Sequence, residues 1–175
     1  NAMGATTTAS DNTAVGSYAL AANTTGTRNV AVGYAALDAA TTASDNTYVG
    51  SGAGSANTSG DHNTGIGQAS MDELTTGANN TAVGSKSLSG AVTGDSNTAV
   101  GVSALVANTS GAYNVAVGAL ALDANTTGDN NTSLGMYSLT AATTADNNTA
   151  VGYIALGANT TGAENVAVGS YSLDA

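Results

Sequence analysis

The sequence has one histidine that could act in catalysis, and it is isolated. The chain has one His and no Cys. His62 lies in a loop position that holds Arg28, Asp45 and other unrelated residues elsewhere in the chain. A Ser and an Asp lie nearby, but a catalytic triad needs three groups held in fixed relative positions. We therefore assign no catalytic residue and predict that the chain is not an enzyme.

Two further patterns could bind a phosphate group or a metal ion. Segment 50–54 reads Gly-Ser-Gly-Ala-Gly and resembles a phosphate-binding loop, but no βαβ unit follows it. We interpret Gly52 and Gly54 as marks of a degenerate repeat. The large apolar residue is missing there, which leaves the core less well filled or makes room for a neighbouring residue. Carboxylates at equivalent loop positions could bind Ca²⁺, namely those of Asp61, Asp95, Asp129 and Asp146. Because other repeats carry Thr, Ser or Ala there, we predict no metal ion and no cofactor.

Hydroxyl side chains form two adjacent rows in the loops. The position of Thr24 holds Thr in every loop except at Val92, and the following position is always Thr or Ser. A regular Thr array on a flat solenoid is what an ice-binding surface needs. Adjacent residues of an extended segment point to opposite sides, however, whereas a flat face needs alternate Thr residues. We therefore favour loop turns capped by hydroxyl groups and keep ice binding as an alternative.

Most of the Tyr residues lie directly after a recurring Gly. Five of the seven occupy two variable positions there, namely Tyr18, Tyr34, Tyr137, Tyr153 and Tyr171. Tyr combines a large contact area with a hydroxyl group, which suits a recognition surface. The same residues could instead shield the seams between associated chains, and the sequence leaves both interpretations open.

All of these residues belong to a repeat of seventeen residues that runs without insertion or deletion. We use "column" for the equivalent positions of successive repeats and name each column by its first member. The Asn12 column consists of Asn12, Asn29, Asn46, Asn63, Asn80, Asn97, Asn114, Asn131, Asn148 and Asn165. The Gly16 column consists of Gly16, Gly33, Gly50, Gly67, Gly84, Gly101, Gly118, Gly135, Gly152 and Gly169. Ten turns of one structural unit are therefore expected.

The apolar columns predict short strands rather than helices. The Val15 column holds only Val, Ile or Leu, and the Thr13 column holds only Thr or Val. Such alternation predicts a strand, and we expect these two columns on its buried face and Ala14 on the other. The Leu20 column predicts a second strand that faces the first. The sequence thus predicts an all-β parallel β-roll or β-solenoid of ten repeats, with two short strands per turn.

We expect structural roles for the Gly16 and Asn12 columns. Gly at the turn would supply a positive φ or permit close backbone approach. Stacked Asn side chains would bond to one another and satisfy backbone groups at a bend. Each turn offers only about two large apolar side chains, so a single chain should be marginally stable. We therefore predict an oligomer that buries the Ala14 column and parts of the Leu20 strand between chains.

Charge and composition restrict the classes of partner. Twelve acidic residues against two Lys and Arg residues give a net charge of −10 at pH 7. This charge repels nucleic acids and anionic membranes, and no segment reaches the roughly 18 apolar residues of a membrane helix. We expect no nucleic-acid partner and no direct membrane contact. Residues 1–3 look like the remnant of a removed tag, which leaves residues 4–175 as a single repeat domain.

The repeat resembles that of the head domains of trimeric autotransporter adhesins, the YadA-like family. Segments 29–33, 114–118 and 165–169 each read Asn-Val-Ala-Val-Gly and are followed, after two further residues, by Ala or Ser. The other seven repeats match with Thr or similar replacements. The resemblance runs from about residue 11 to the end of the chain. The loop at 22–26 is longer than in the commonest repeat of the family, which affects binding specificity more than the fold.

The resemblance implies a left-handed β-roll that assembles as a homotrimer. It also implies a place on the cell surface, at the outer membrane of a Gram-negative bacterium. There such a head would mediate attachment to host cells, matrix, other bacteria or abiotic surfaces, through an extracellular ligand that the sequence does not identify. Similar heads occur in phage tail fibres, so a virion tail fibre is the alternative location.

Overall fold

The structure is a computed structural model, and it describes residues 2–5, 7–90 and 93–174. Ten strands form one sheet in which each strand pairs in parallel with the next along the chain. The strands are β1 (Thr13–Val15), β2 (Val30–Val32), β3 (Thr47–Val49), β4 (Thr64–Ile66), β5 (Thr81–Val83), β6 (Thr98–Val100), β7 (Val115–Val117), β8 (Thr132–Leu134), β9 (Thr149–Val151) and β10 (Val166–Val168). Val15 pairs with Val32, and Val32 pairs with Val49. The sequence repeat is therefore one turn of the fold.

The prediction of an all-β parallel solenoid with a 17-residue repeat is confirmed. The described ranges contain no helix, and hence none that could span a membrane. Backbone hydrogen bonds join each turn to the next, as in the bond of 2.8 Å from the N–H of Val30 to the carbonyl of Asn46. Because parallel strands lie about 4.8 Å apart, the ten turns form a rod roughly 48 Å long.

The face of the sheet that lines the core is the opposite of the predicted one. The Ala14 column points inward, and Ala31 and Ala116 are fully buried. The Thr13 and Val15 columns point outward, so that Val15 is 57% and Val168 69% exposed. Alternation indicates a strand but does not say which face is buried. The Leu20 column fills the interior from the opposite wall, which leaves room on the sheet side for small side chains, except at Tyr48, where Gly54 replaces the Leu.

The wall opposite the sheet is a stack of turns, so the prediction of two strands per turn is wrong. The N–H of Ala19 donates to the carbonyl of Gly16 at 3.4 Å, and that of Asn23 to Leu20 at 3.4 Å. Tyr18 and Leu20 have φ values of 61° and 51°, which do not occur in a strand. Leu20 is nevertheless fully buried. One apolar position per repeat does not distinguish a strand from a turn, and here successive turns direct it inward.

The predicted burial of the Ala14 and Leu20 columns between chains is also wrong. Both columns belong to one hydrophobic cluster inside a single chain. The aliphatic column that stays outside is the Val15 column, with the Thr13 column beside it. Contact between copies through an aliphatic surface would therefore use the outer face of the sheet.

Residues before β1 add a partial turn to the roll. Met3 stands one repeat before Leu20, has a φ of 53° and packs against the core. Its N–H donates to the carbonyl of Ala19 at 3.0 Å, and the N–H of Thr7 donates to Thr24 at 3.2 Å. Met3 therefore contributes to the fold, although it falls within the predicted tag remnant. Asn1 of the predicted tag remnant and Val92 of the Thr24 column lie outside the described residues.

Candidate functional surfaces

The Asn12 column forms a hydrogen-bonded ladder through the roll. The Oδ1 atom of Asn12 accepts the backbone N–H of Asn29 at 2.9 Å, and its Nδ2 atom donates to the carbonyl of Gly26 at 2.8 Å. Asn29 is fully buried and repeats this pattern with Asn46 and Ala43 at 3.1 and 2.7 Å. The amides satisfy backbone groups that the bend would otherwise leave unpaired. These side chains are thus committed to the fold.

A second Asn column, not predicted from the sequence, closes most of the loops. The Oδ1 atom of Asn23 accepts the N–H of Gly26 at 3.0 Å, and its Nδ2 atom donates to the Gly26 carbonyl at 3.0 Å. Asn57 makes the same two bonds with Gly60, at 2.7 and 3.0 Å. The sequence does contain a signal for this column, because an Asn recurs three residues before the Gly of the loop. Because Asn23, Asn57, Asn108 and Asn125 are fully buried, they fix their loops and are not exposed to a partner.

The Gly16 column forms the corner between the sheet and the turns. Its φ values lie between 125° and 144°, in a region that other residues rarely adopt. A Cβ atom on Gly101 would lie 2.5 Å from the carbonyl oxygen of Gly118 in the next turn. Both the backbone conformation and the close stacking of turns therefore require Gly here. In segment 50–54, Gly50 belongs to this corner and Gly54 is buried, which leaves no open phosphate cradle.

The Thr24 column is bonded to the neighbouring turn. The hydroxyl of Thr24 donates to the carbonyl of Thr41 at 3.0 Å, and that of Thr109 donates to Thr126 at 2.8 Å. The hydroxyl of Thr126 donates to Thr143 at 2.9 Å. The hydroxyl protons of this column thus hold adjacent loops together. This geometry supports the interpretation of the column as capped loop turns.

The Asp residues considered for calcium also bond to the backbone. The Oδ1 atom of Asp61 accepts the N–H of Ser44, in the preceding turn, at 2.7 Å. The same contact is made by Asp95, Asp129 and Asp146. Among the described residues there is no cluster of three or more His, Cys, Asp or Glu side chains that could hold a metal ion. The carboxylates therefore act as turn-to-turn acceptors.

His62 lies in a short row of charged side chains on the loops. Arg28 donates to Asp45 through Nε at 2.5 Å and through Nη2 at 2.6 Å. The hydrogen bond with Arg28 lowers the pKa of Asp45. The Nε2 atom of His62 lies 3.8 Å from the Oδ2 atom of Asp45. Because Arg28 and His62 are exposed, this row is a surface ion-pair ladder and not a catalytic cleft.

The outer face of the sheet presents two parallel columns to solvent. The Val15 column is aliphatic in every turn, and its members Ile66 and Leu134 are 41% and 46% exposed. The Thr13 column beside it holds Thr in seven turns and Val in three. A contiguous exposed apolar patch on a soluble chain commonly marks a site of association. The prediction that the Thr13 and Val15 columns belong to the core is therefore wrong.

The five Tyr residues of the predicted contact surface fall into two groups near opposite ends of the rod. Tyr18 and Tyr34 form an edge-to-face pair with ring centroids 5.9 Å apart. Tyr137, Tyr153 and Tyr171 form a row with centroid distances of 6.3 and 5.3 Å. A hydrogen bond with Tyr171 raises the pKa of Tyr153. The predicted residues therefore make two patches and not one continuous surface.

Comparison of the chain with models of known protein families, with curated proteins and with solved structures found no match. The similarity to YadA-like heads consequently stays a prediction, and the repeated Asn-Val-Ala-Val-Gly motif carries it.

Proposed function

We propose that the chain is a non-enzymatic head segment of a surface adhesin and that it assembles as a homotrimer. The outer face of the sheet carries this proposal, because it keeps an aliphatic side chain in all ten turns although it lies outside the core. A solvated strand face normally carries polar residues. Aliphatic residues that repeat in register are expected where copies of the same chain cover them.

Contact through this face would let the chains lie side by side along their whole length. The columns run in register from β1 to β10, so each turn of one copy meets a turn of the next. The face measures roughly 48 Å by 10 Å, and the aliphatic Val15 column runs along its whole length. The number of three chains and the left-handed winding come from the resemblance to trimeric heads.

Attachment in this proposal is multivalent. The positions that vary most from turn to turn lie at the corner and in the loops, outside the Thr13 and Val15 columns. Three chains would present each of these patches three times, so that several weak contacts add. No single residue needs to dominate binding to a host, matrix, bacterial or abiotic surface. The corresponding location is the cell surface of a Gram-negative bacterium.

A phage tail-fibre segment is the alternative on the same fold. Both functions would use a rod of side-by-side chains with variable corners and loops. The gene separates them, because an adhesin head is followed by a membrane-barrel anchor, whereas a fibre segment is not.

Ice binding is a second candidate, and it would use the outer face of the sheet instead of the loops. The Thr24 column already donates its hydroxyl protons to the backbone. The Thr13 and Val15 columns, in contrast, lie two residues apart in each strand and therefore on the same side of a regular sheet. A flat ice-binding face requires this arrangement. Ice binding needs this face to be free, whereas the adhesin proposal needs it to be covered.

Two assays on the intact chain separate these functions. Beads coated with folded chain should attach to matrix, cells or plastic more strongly than beads coated with heat-unfolded chain, and attachment should increase with coating density. A solution of the chain should show no thermal hysteresis. Hysteresis without attachment would refute the adhesin proposal and support ice binding.

A further inference from the structure

An open pocket lies at the corner of the roll near the last turns. It has a volume of about 390 Å³, within the range of about 300–1,000 Å³ found for small-ligand sites. Its walls include Tyr137, Thr140, Tyr153, Ile154, Gly157 and Asp174. The pocket uses neither the Thr13 nor the Val15 column, so it is separate from the outer face of the sheet.

One turn lacks a side chain at the pocket, and the Asp174 carboxylate lies close to the backbone there. Gly157 belongs to the Ala21 column, and all the other members of that column are Ala, Asp, Ser, Thr or Val. Its neighbours in that column are Thr140 and Asp174. A Cβ atom on Gly157 would lie 2.6 Å from the Oδ1 atom of Asp174 and 2.6 Å from the Cγ2 atom of Ile154. Even a methyl group would therefore displace the carboxylate and narrow the pocket.

The walls combine two aromatic rings with a carboxylate. The rings of Tyr137 and Tyr153 meet at 76°, with centroids 6.3 Å apart. Both rings line the pocket, and the face of an aromatic ring attracts positive charge through its quadrupole. Asp174 adds a negative charge at the same pocket. Thr140 donates to Asp123 at 2.5 Å, which brings a second carboxylate close to the rim.

We propose that this pocket binds a quaternary ammonium group, such as that of choline, between Tyr137 and Tyr153. Asp174 serves as the counter-ion. A quaternary ammonium group has a positive charge, an apolar surface of methyl groups and no N–H donors, so it suits aromatic and aliphatic walls with a single anionic group. The net charge of −10 also favours a cation over a neutral or anionic ligand. This inference goes beyond the adhesin proposal and can fail independently of it.

The second aromatic pair provides an internal control. Tyr18 and Tyr34 meet at 84° with centroids 5.9 Å apart, a geometry close to that of Tyr137 and Tyr153. The Ala21 column keeps its side chains beside this pair, as Ala21 and Asp38. This pair therefore lacks the glycine found beside Tyr137 and Tyr153. Removing one of these rings should leave binding at the pocket unchanged.

Titration of the full chain with choline chloride, followed by amide chemical shifts in NMR spectra, tests the proposal. The neutral isostere 3,3-dimethylbutanol is titrated in parallel, because it has the same shape without the charge. We expect choline to shift the amide signals around Gly157 and to bind at least about five-fold more tightly than the isostere. Absence of choline binding, or equal binding of the two compounds, would overturn the proposal.

Variants assign the binding to these residues. Asp174→Asn and Tyr153→Leu should each weaken choline binding about five- to thirty-fold, and Gly157→Ala, which displaces the Asp174 carboxylate, should also weaken it. Tyr153→Phe keeps the ring and should bind within about two-fold of the wild type. Tyr34→Leu is the matched control and should bind choline normally. Methyl glucoside is titrated as well, as a neutral sugar. Unchanged binding of choline in Asp174→Asn, or tighter binding of methyl glucoside than of choline, would overturn the assignment.

Discussion

The phenol ring of Tyr48 occupies the space that the missing side chain of Gly54 leaves inside the roll. Tyr48 stands in the Ala14 column, where most turns carry Ala, and it is fully buried. A Cβ atom on Gly54 would lie 2.5 Å from the Cε1 atom of the ring, and one on Gly65 would lie 2.5 Å from Cδ1. Gly54 replaces a member of the Leu20 column, and Gly65 replaces an Ala. Two small residues thus accommodate one large one.

Exchange of these three residues should show that their packing is coupled. Tyr48→Ala alone should lower the free energy of unfolding by about 3 to 5 kcal/mol, because it leaves a cavity. The triple variant Tyr48→Ala/Gly54→Leu/Gly65→Ala carries the residues found in most turns and should recover most of that loss. Urea unfolding followed by circular dichroism gives the free energies. A triple variant as unstable as Tyr48→Ala would contradict the coupling.

Gly54→Leu in the presence of Tyr48 is the matched control. It inserts a side chain into occupied space and should cost at least about 1 to 3 kcal/mol. If Gly54→Leu were neutral alone, the ring of Tyr48 would not fill this part of the core.

Tyr48 should also cause part of the loss of stability at alkaline pH. Burial raises the pKa of Tyr48, so the folded chain keeps the phenol proton where the unfolded chain loses it. The stability from this residue is present below pH about 10, the ordinary pKa of Tyr, and is lost as pH rises toward the raised pKa. The free energy of unfolding should fall by about 1.4 kcal/mol per pH unit there.

Tyr48→Phe isolates this effect. The hydroxyl has only long contacts, at 3.6 Å to the Sδ atom of Met71 and at 3.5 Å to the Nδ2 atom of Asn57. The variant should therefore differ little from the wild type at pH 7 and lose less stability between pH 10 and 12. Parallel curves of unfolding free energy against pH for the two proteins would refute the explanation.

Two Gly columns should respond differently to Ala. Gly101 has a φ of 138°, and Gly101→Ala should cost at least about 2 kcal/mol more than Gly77→Ala through backbone strain. Gly77 belongs to the column that already holds Ala43 and Ala145, and Gly77→Ala should cost less than about 1 kcal/mol. Both new methyl groups approach a carbonyl of the next turn, so the pair isolates the effect of φ. Equal thermal midpoints for the two variants would argue against a conformational need for Gly101.

Two Ser residues of the Ala19 column should also differ. The hydroxyl of Ser87 donates to the carbonyl of Gly84 at 2.9 Å, whereas the buried hydroxyl of Ser70 has no hydrogen-bond partner among the described residues. Ser87→Ala should lower the free energy of unfolding by about 1 kcal/mol, and Ser70→Ala should be neutral or stabilising. Melting temperatures compared by calorimetry check this order. The reverse order would contradict the assigned hydrogen bonding.

The repeat predicted the architecture well but not the inside and outside of the roll. β-Branched residues at Thr13 and Val15 indicate a strand, and their spacing places Ala14 on the other face. Which face is buried depends on the space between the sheet and the opposite wall. That space is filled by the Leu20 column, and local sequence does not show how far Leu20 reaches. A hydrophobicity pattern alone therefore favoured the larger residues as core, although the interior accepts Ala.

The candidate sites were predicted in part. The Asn12 and Gly16 columns were visible because every turn repeats them. The pocket beside Gly157 was not, because it depends on a departure from the repeat and on Tyr137 and Asp174, which belong to other turns. Such departures matter only once the register brings distant residues together.

The solution mass of the chain, measured by light scattering on the wild type and on Val100→Lys, tests the covered sheet face most directly. The wild type should have three times the chain mass of 16.6 kDa. Val100→Lys should fall to a lower mass and keep its β-type circular dichroism, because an unpaired charge is costly at an apolar contact. Ser51→Lys, at an exposed corner position, should stay trimeric. A monomeric, folded wild type, or a Val100→Lys variant with the wild-type mass, would contradict the account.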